Sequence, residues 1–187
     1  VQMNNDANAL ILGESIWGSG RGHRLVLGFT LGTGLGCAFV SDKKLHPGRR
    51  ELSGEIWPSP YKDITIEDYV SGRGISASYR KLSGSVKSAL EIGILADSGD
   101  SAALQVWHDF GDALGFALSW TINLLDPDIL VLGGSVANSF HLFERSLMAF
   151  LRKYVCPSPA GLPPVVRASL GDEAGLIGGA ALAFTNQ

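Results

Sequence analysis

The sequence predicts one α/β domain in which helices cover a mixed sheet, and three stretches of the chain carry this prediction. Residues 24–46 alternate strand-like segments with tight turns, which is typical of an antiparallel meander. Residues 75–125 carry apolar side chains at helical spacing. The remaining third alternates strand, helix, strand and helix, the order in which helical crossovers join parallel strands.

The composition is that of a folded domain and excludes several functional classes. Hydrophobic residues make up 45% of the 187 residues and charged residues 18%, which excludes disorder and permits a sizeable core. The 15 Lys and Arg residues against 18 Asp and Glu leave a net charge of −3, so neither nucleic acid nor an anionic membrane is an expected partner. The longest apolar stretch, residues 113–125, is shorter than the roughly 20 residues of a membrane helix. Cys37 and Cys156 lie too far apart in sequence to suggest a disulfide framework, and a reducing cytoplasm is the expected compartment.

The first half of the chain predicts a helix followed by the meander. The helix is expected to begin close to Asp6, because apolar residues at helical spacing follow a cluster of Asn and Asp residues that favour helix caps. In chain order, the expected elements are a helix over residues 7–17, strands over 24–31 and 35–41, a polar turn over 42–44 and an extended piece at 45–46.

The second half predicts helices around two further strands. A long helix is expected to stop at Asp126, because the residue before a proline avoids helical backbone angles. The closing segment is rich in Gly and Ala, so its helix is expected to pack closely against a neighbour. The expected elements are helices over 75–82, 85–97 and 101–125, a strand over 128–132, a helix over 140–154, a strand over 165–170 and a helix over 173–184.

Asp6 is the first candidate catalytic residue. A carboxylate at a helix start accepts hydrogen bonds from free backbone N–H groups and is stabilised by the helix dipole. Such a residue is either a simple N-cap or a base that accepts a hydroxyl proton, as phosphoryl transfer requires. The residues alone leave both interpretations open.

Two glycine-rich turns are candidate ligand contacts. Gly32-Thr33-Gly34 lies between two strands, so it is either a tight hairpin or a turn whose N–H groups and Thr hydroxyl bind phosphate oxygens. Gly133-Gly134 follows an apolar strand, at the end where open α/β sheets place their sites, and is otherwise a plain connection.

Glu55 and Glu67 are acidic residues among apolar neighbours. The pattern is a modest indication of buried carboxylates that hydrogen-bond a polyol, and solvated acids in loops and helix caps show it more commonly. The four histidines are scattered and show no metal-ligand spacing, so no metal site is expected.

The order of these motifs resembles that of the ROK family of bacterial sugar kinases and sugar-responsive repressors. The motifs that carry the resemblance are Asn5-Asp6-Ala7-Asn8 with Leu12-Gly13-Glu14, Leu31–Gly36, Ser53–Ile56, Ile66–Ile75, Asp126–Gly134 and Glu173–Ala180. The resemblance implies an actin-like, ribonuclease H-like ATPase fold. It also implies ATP-dependent phosphorylation of a hexose or N-acetylhexosamine hydroxyl, with Mg²⁺ carried by the ATP. The partners would then be the sugar and ATP.

The resemblance also implies roles for individual residues. Asp6 matches the catalytic base of the family, and Asn5 matches a sugar-hydroxyl ligand beside it. Glu55 and Glu67 match the two sugar-binding carboxylates. The nucleotide and phosphate contacts would be Gly32, Thr33, Gly34, Gly133 and Gly134.

The sequence departs from the family pattern where relatives bind a structural zinc. Pro58 stands at the position of a histidine that contacts both the sugar and the zinc, and residues 59–66 replace the cysteine-rich zinc segment. A closed zinc site needs four Cys or His ligands, and residues 53–75 contain neither, so no structural zinc is expected. The residues expected to help shape this segment instead are Trp57, Pro58, Pro60 and Tyr61.

A second departure concerns the start of the chain. The first phosphate loop of family kinases has no counterpart here, and the first residue is Val1, so residues 1–187 are expected to be a single C-terminal lobe without its N-terminal lobe. Such a lobe alone is expected to show no kinase activity. The alternative is the sugar-sensing lobe of a ROK repressor, whose DNA contacts would lie outside this lobe. A homodimer is left open.

Overall fold

The computed structural model describes residues 6–171 and 174–185. The helices are α1 (Asp6–Trp17), α2 (Gly72–Ser83), α3 (Ala89–Asp97), α4 (Ser101–Leu125), α5 (Phe140–Tyr154) and α6 (Ala174–Thr185), with a short 3₁₀ helix at Ser135–Ser139. The strands are β1 (Leu25–Leu31), β2 (Leu35–Ser41), β3 (Lys44–Leu45), β4 (Pro60–Tyr61), β5 (Ile64–Thr65), β6 (Ile129–Gly133) and β7 (Val165–Arg167).

Five strands form one mixed sheet in the order β3-β2-β1-β6-β7, and β4 and β5 form a separate hairpin. Strands β1, β2 and β3 pair antiparallel, which confirms the predicted meander. Strand β6 pairs parallel with β1, and β7 pairs parallel with β6. The predicted mixed α/β architecture is therefore confirmed.

The two faces of the sheet are covered by different helices. Successive residues of a strand point to opposite faces, so neighbouring residues of β1 pack against different helices. On β1, Val26 packs with residues of α1 and α6, whereas Leu27 and Phe29 pack into the larger core with α4 and α5. Helix α1 approaches the sheet so closely that a Cβ at Gly28 would lie 2.0 Å from Cδ1 of Ile11.

Helix α6 packs tightly against α1, as its small residues predict. A Cβ added at Gly178 would lie 1.6 Å from the carbonyl oxygen of Ala9, so only glycine permits this approach. Helix α4 is the longest helix and is amphipathic. None of the helices within the described ranges is long and apolar enough to cross a membrane.

Several predicted boundaries are wrong for identifiable reasons. The helix expected from residue 85 starts only at Ala89, because Ser88 and Glu91 form a capping box there. Helix α2 starts three residues earlier than expected, since the hydroxyl of Ser71 caps it. The predicted strand over 165–170 ends at Arg167, and the polar turn comprises only residues 42 and 43, both at positive φ.

Candidate active site

The carboxyl ends of β1 and β6 open into a cavity of about 780 Å³. Thr30 on β1 pairs with Gly133 on β6, and the two strands run parallel. The turn after β1 and the loop after β6 therefore emerge side by side at one edge of the sheet, where open α/β sheets bind ligands. The predicted site residues that line this cavity are Asp6, Gly32, Thr33, Gly34, Glu55, Glu67, Gly133 and Gly134.

Asp6 is the first residue of α1, and its exposed side chain lines the cavity. Its Oδ1 accepts a hydrogen bond from the N–H of Ala7 at 2.8 Å. The positive end of the helix dipole favours a carboxylate at this position, and a ligand in the cavity can reach it. Asn5, the other predicted ligand here, lies outside the described residues.

The Gly32-Thr33-Gly34 turn closes on itself and contacts the start of α2. The N–H of Gly32 donates to the carbonyl of Gly34 at 3.0 Å, and the carbonyl of Gly32 accepts from the N–H of Gly72 at 2.7 Å. A Cβ at Gly34 would lie 2.6 Å from Oε2 of Glu67. The turn is thus pressed against a carboxylate, which a larger residue at position 34 would displace.

Gly134 brings the other glycine-rich loop against the end of β1. Its φ is +86°, which favours glycine, and a Cβ there would lie 2.4 Å from the carbonyl oxygen of Leu31. The chain then enters the 3₁₀ helix, whose Ser135 and Asn138 also line the cavity. The two glycine-rich segments therefore form adjacent parts of one wall.

Glu55 and Trp57 form a hydrogen-bonded pair in the cavity wall. The indole N–H of Trp57 donates to Oε2 of Glu55 at 2.6 Å, and the Trp57 side chain remains 43% exposed. Burial, together with the negative charge of Glu55, raises the pKa of the nearby Cys37 thiol to about 12. Cys37 therefore stays protonated and is no nucleophile.

Glu67 is held at both oxygens. Oε2 accepts the N–H of Leu35 at 2.9 Å, and Oε1 pairs with the Arg73 guanidinium, also at 2.9 Å. A carboxylate oxygen has two lone pairs, so each oxygen can accept one further hydrogen bond from a ligand hydroxyl. The sequence pattern predicted Glu67 as a ligand residue but gave no role to Arg73.

Glu14 is a second residue whose role the sequence did not predict. Its side chain is fully buried, and it accepts hydrogen bonds from the backbone N–H groups of Ser19, Ser169 and Leu170 at 2.7, 2.9 and 2.8 Å. These contacts attach the loop after β7 to α1, and Ala168 in that loop lines the cavity. Glu14 therefore shapes the cavity from behind its wall.

Charge is distributed unevenly around the cavity. Asp6, Glu55 and Glu67 are its carboxylates, whereas Arg167, at the end of β7, is the single cation among the lining residues in the described ranges. Carboxylates suit the hydroxyl groups of a polyol, and a guanidinium suits phosphate. The cavity is therefore lined both by groups that suit hydroxyls and by a group that suits an anion.

The segment that replaces the zinc motif folds as the β4–β5 hairpin, which the sequence did not predict. The Tyr61 ring packs against Tyr69 at 5.0 Å and against Phe116 of α4 at 4.9 Å between ring centroids. Lys62 Nζ lies 5.2 and 5.1 Å from the centroids of the two tyrosine rings. The Tyr69 hydroxyl donates to Asp63, which raises the pKa of Tyr69 to about 12. The segment is therefore held by aromatic and polar contacts.

We expect this hairpin to need no metal. Purified protein should contain well under one zinc ion per chain, and a chelator should leave the thermal midpoint unchanged, because Tyr61, Lys62 and Tyr69 supply the contacts within the segment. Elemental analysis and thermal unfolding with and without the chelator test this. About one zinc per chain, together with a lower thermal midpoint after chelation, would contradict it.

The fold and the cavity together define a class. The mixed sheet covered by helices on both faces, with glycine-rich turns at the carboxyl ends of two parallel strands, has the actin-like ATPase fold. The chain belongs to the ROK family, whose sequence pattern it matches over residues 1–186.

Similar proteins include sugar kinases and a regulator. The N-acetyl-D-glucosamine kinase of Haemophilus influenzae is 32% identical over 99% of this chain and 67% of its own length. A ROK family glucokinase from Streptomyces griseus, solved with glucose and AMPPNP, is 28% identical with a TM-score of 0.84, over 98% of this chain and 68% of its own. A ROK family transcriptional regulator, a homologue of the E. coli MLC protein, shares the fold with a TM-score of 0.81 at 23% identity. The match covers 95% of this chain and 50% of the regulator. The chain thus spans about two thirds of the length of these kinases.

Proposed function

We propose that this chain is the sugar- and nucleotide-binding lobe of an ATP-dependent kinase that phosphorylates a hydroxyl of a hexose or N-acetylhexosamine. The observation that carries the proposal is that Asp6, two further carboxylates and both glycine-rich turns line one cavity. The similarity to N-acetyl-D-glucosamine kinase and glucokinase supports the same activity. A second lobe elsewhere in the protein would close over MgATP, and the lobe alone would then not turn over.

Asp6 acts as the base in this proposal. Its carboxylate accepts the proton of the sugar hydroxyl while the hydroxyl oxygen forms a bond to the γ-phosphorus of ATP. The bond between that phosphorus and the β–γ bridging oxygen breaks, and ADP leaves with the bond's electron pair. Positioning and charge stabilisation suffice for this reaction, because little covalent chemistry is required of the protein.

In this proposal, different lining residues bind the two substrates. Glu55, oriented by Trp57, and Glu67 accept hydrogen bonds from sugar hydroxyls beside Asp6. The Gly32–Gly34 turn and Arg167 bind the nucleotide phosphates, which carry the opposite charge to the guanidinium. Mg²⁺ bound with the nucleotide would neutralise charge on the phosphates. The described residues contain no group of three or more His, Cys, Asp or Glu side chains that could hold a metal ion.

Paired substitutions test the assignment of Glu55 to the sugar and of Arg167 to the nucleotide. In a polypeptide that contains this chain, Glu55→Gln should weaken sugar binding roughly 10- to 100-fold, the cost of losing a hydrogen bond to a charged group, and leave AMPPNP binding within about threefold. Arg167→Ala should do the reverse. Isothermal titration with N-acetylglucosamine, glucose and AMPPNP measures both. Equal losses for both ligands in either variant would contradict the assignment, and wild-type protein that binds sugar but no nucleotide would favour the repressor alternative.

A further inference from the structure

The segment Ser71-Gly72-Arg73-Gly74 begins α2 directly against the glycine-rich turn after β1. The Ser71 hydroxyl oxygen caps the helix by accepting the N–H of Gly74 at 3.1 Å. A Cβ at Gly72 would lie 3.2 Å from the carbonyl oxygen of Gly32, a close contact that glycine avoids. The first turn of α2 therefore reaches the backbone of the Gly32–Gly34 turn.

Two carbonyls of that turn are held by α2. Gly72 N–H donates to the carbonyl of Gly32 at 2.7 Å, and Arg73 Nε donates to the carbonyl of Thr33 at 3.0 Å. In a planar trans peptide the C=O and the following N–H point in opposite directions. The N–H groups of Thr33 and Gly34 must therefore point away from α2.

The two N–H groups are placed for an anion. None of the hydrogen bonds found among residues 6–171 and 174–185 uses the N–H of Thr33 or that of Gly34. Both residues line the cavity. Successive N–H groups that point the same way form a concave anion-binding site.

The guanidinium of Arg73 also contacts Glu67, a carboxylate that lines the cavity. A second nitrogen of Arg73 pairs with Oε1 of Glu67 at 2.9 Å, while Oε2 of Glu67 accepts the N–H of Leu35 at the far end of the turn. The Arg73 side chain is 71% exposed, and an ion pair this exposed contributes little to stability. Arg73 is also absent from the cavity-lining residues in the described part of the chain, so its effect is exerted through Thr33 and Glu67.

We propose that Arg73 is a positioning residue that couples the two substrates. It holds the Thr33–Gly34 peptide in the orientation that binds phosphate, and it holds the Glu67 carboxylate that binds the sugar. A sugar hydroxyl on Glu67 orders the carboxylate, and Arg73 transmits that order to the Gly34 N–H. This inference rests on the proposed function, and the coupling it implies must be equal in both directions.

Binding measurements test the coupling. In the wild type, saturating sugar should tighten AMPPNP binding by about fivefold or more, with an equal effect of AMPPNP on the sugar. Arg73→Lys keeps the charge, but a lysine cannot hold two acceptors in a planar fork. The ratio of the AMPPNP dissociation constants without and with sugar should therefore fall close to one in this variant. Arg80→Lys, an exposed arginine in the last turn of the same helix, is the matched control and should keep the wild-type ratio. A ratio near one in the wild type, or no change in Arg73→Lys, would overturn the proposal.

A second measurement separates this inference from the kinase assignment. In ¹⁵N-labelled protein titrated with inorganic pyrophosphate, the amide resonances of Thr33 and Gly34 should both shift. In Arg73→Lys the Gly34 response should decrease while that of Thr33, oriented through Gly72, persists. Unchanged responses of both amides would overturn the role of Arg73 even if the protein is a kinase. If the wild type binds neither sugar nor AMPPNP, the proposed function fails, and the two amide responses still decide the role of Arg73.

Discussion

Asp6→Asn should lower kcat by about 10²- to 10⁴-fold, the usual contribution of general base catalysis, in an active polypeptide that contains this chain. Asparagine has nearly the shape of aspartate and can still hydrogen-bond a sugar hydroxyl, but it cannot accept the hydroxyl proton. Sugar affinity should therefore change by less than about threefold, because binding does not require proton transfer. Steady-state kinetics and calorimetric titration of the sugar measure the two quantities.

The matched control is Asp100→Asn. Asp100 likewise lies at a helix start: it is the N-cap of α4, where its carboxylate accepts the N–H of Ala103 at 2.8 Å, but it is not among the residues that line the cavity. This substitution should lower stability slightly, by about 1 kcal/mol or less, and leave kcat unchanged. Near-normal turnover of Asp6→Asn would remove Asp6 from the role of base and leave it a simple helix cap.

Glu14→Gln should destabilise the protein by about 3 kcal/mol, because a buried amide presents N–H groups to backbone N–H groups that need an acceptor. The carboxylate accepts from Ser19 with one oxygen and from Ser169 and Leu170 with the other. A glutamine side chain retains one acceptor oxygen. Either the N–H of Ser19 or the N–H groups of Ser169 and Leu170 therefore lose their hydrogen bonds inside the protein. The free energy of unfolding in urea measures the loss.

Glu144→Gln is the control for this substitution. Glu144 is exposed on α5, so removing its charge should change stability by no more than about 0.5 kcal/mol. A Glu14→Gln variant as stable as the wild type would show that the loop after β7 is held by other contacts. Ala168 of that loop lines the cavity, so loosening the loop in Glu14→Gln should also weaken AMPPNP binding.

The elements that sequence patterns predicted well are those with a long apolar period. Helix α4 repeats its apolar residues over several helical turns, and strands β1 and β2 are each seven residues long and rich in apolar residues. Whether each segment is a helix or a strand, and approximately where it begins and ends, therefore follows from local sequence. The start of α1 at Asp6 follows in the same way, since the Asn and Asp residues precede the first apolar repeat. The β4–β5 hairpin could not be found by this route, because strands of two residues are too short to show alternation.

The contacts that organise the cavity were hidden for a different reason. Glu14 reaches Ser169 across 155 positions of sequence, and Arg73 reaches Thr33 across 40, so no local pattern contains both partners. The resemblance to the family placed Glu67 near the sugar but did not reveal that Arg73 holds its carboxylate. In general, the sequence predicted residues that line the cavity and missed those that hold them in position.

Transfer of ³²P from γ-labelled ATP to a sugar tests the central proposal most directly. A polypeptide that contains this chain should form one labelled sugar phosphate for each ADP released, with a hexose or an N-acetylhexosamine as acceptor. The Asp100→Asn variant should behave like the wild type, and Asp6→Asn should transfer label at least about 10²-fold more slowly. Tight binding of both sugar and AMPPNP by the wild type, with no label transferred to any sugar of a panel of hexoses and N-acetylhexosamines, would contradict the kinase proposal.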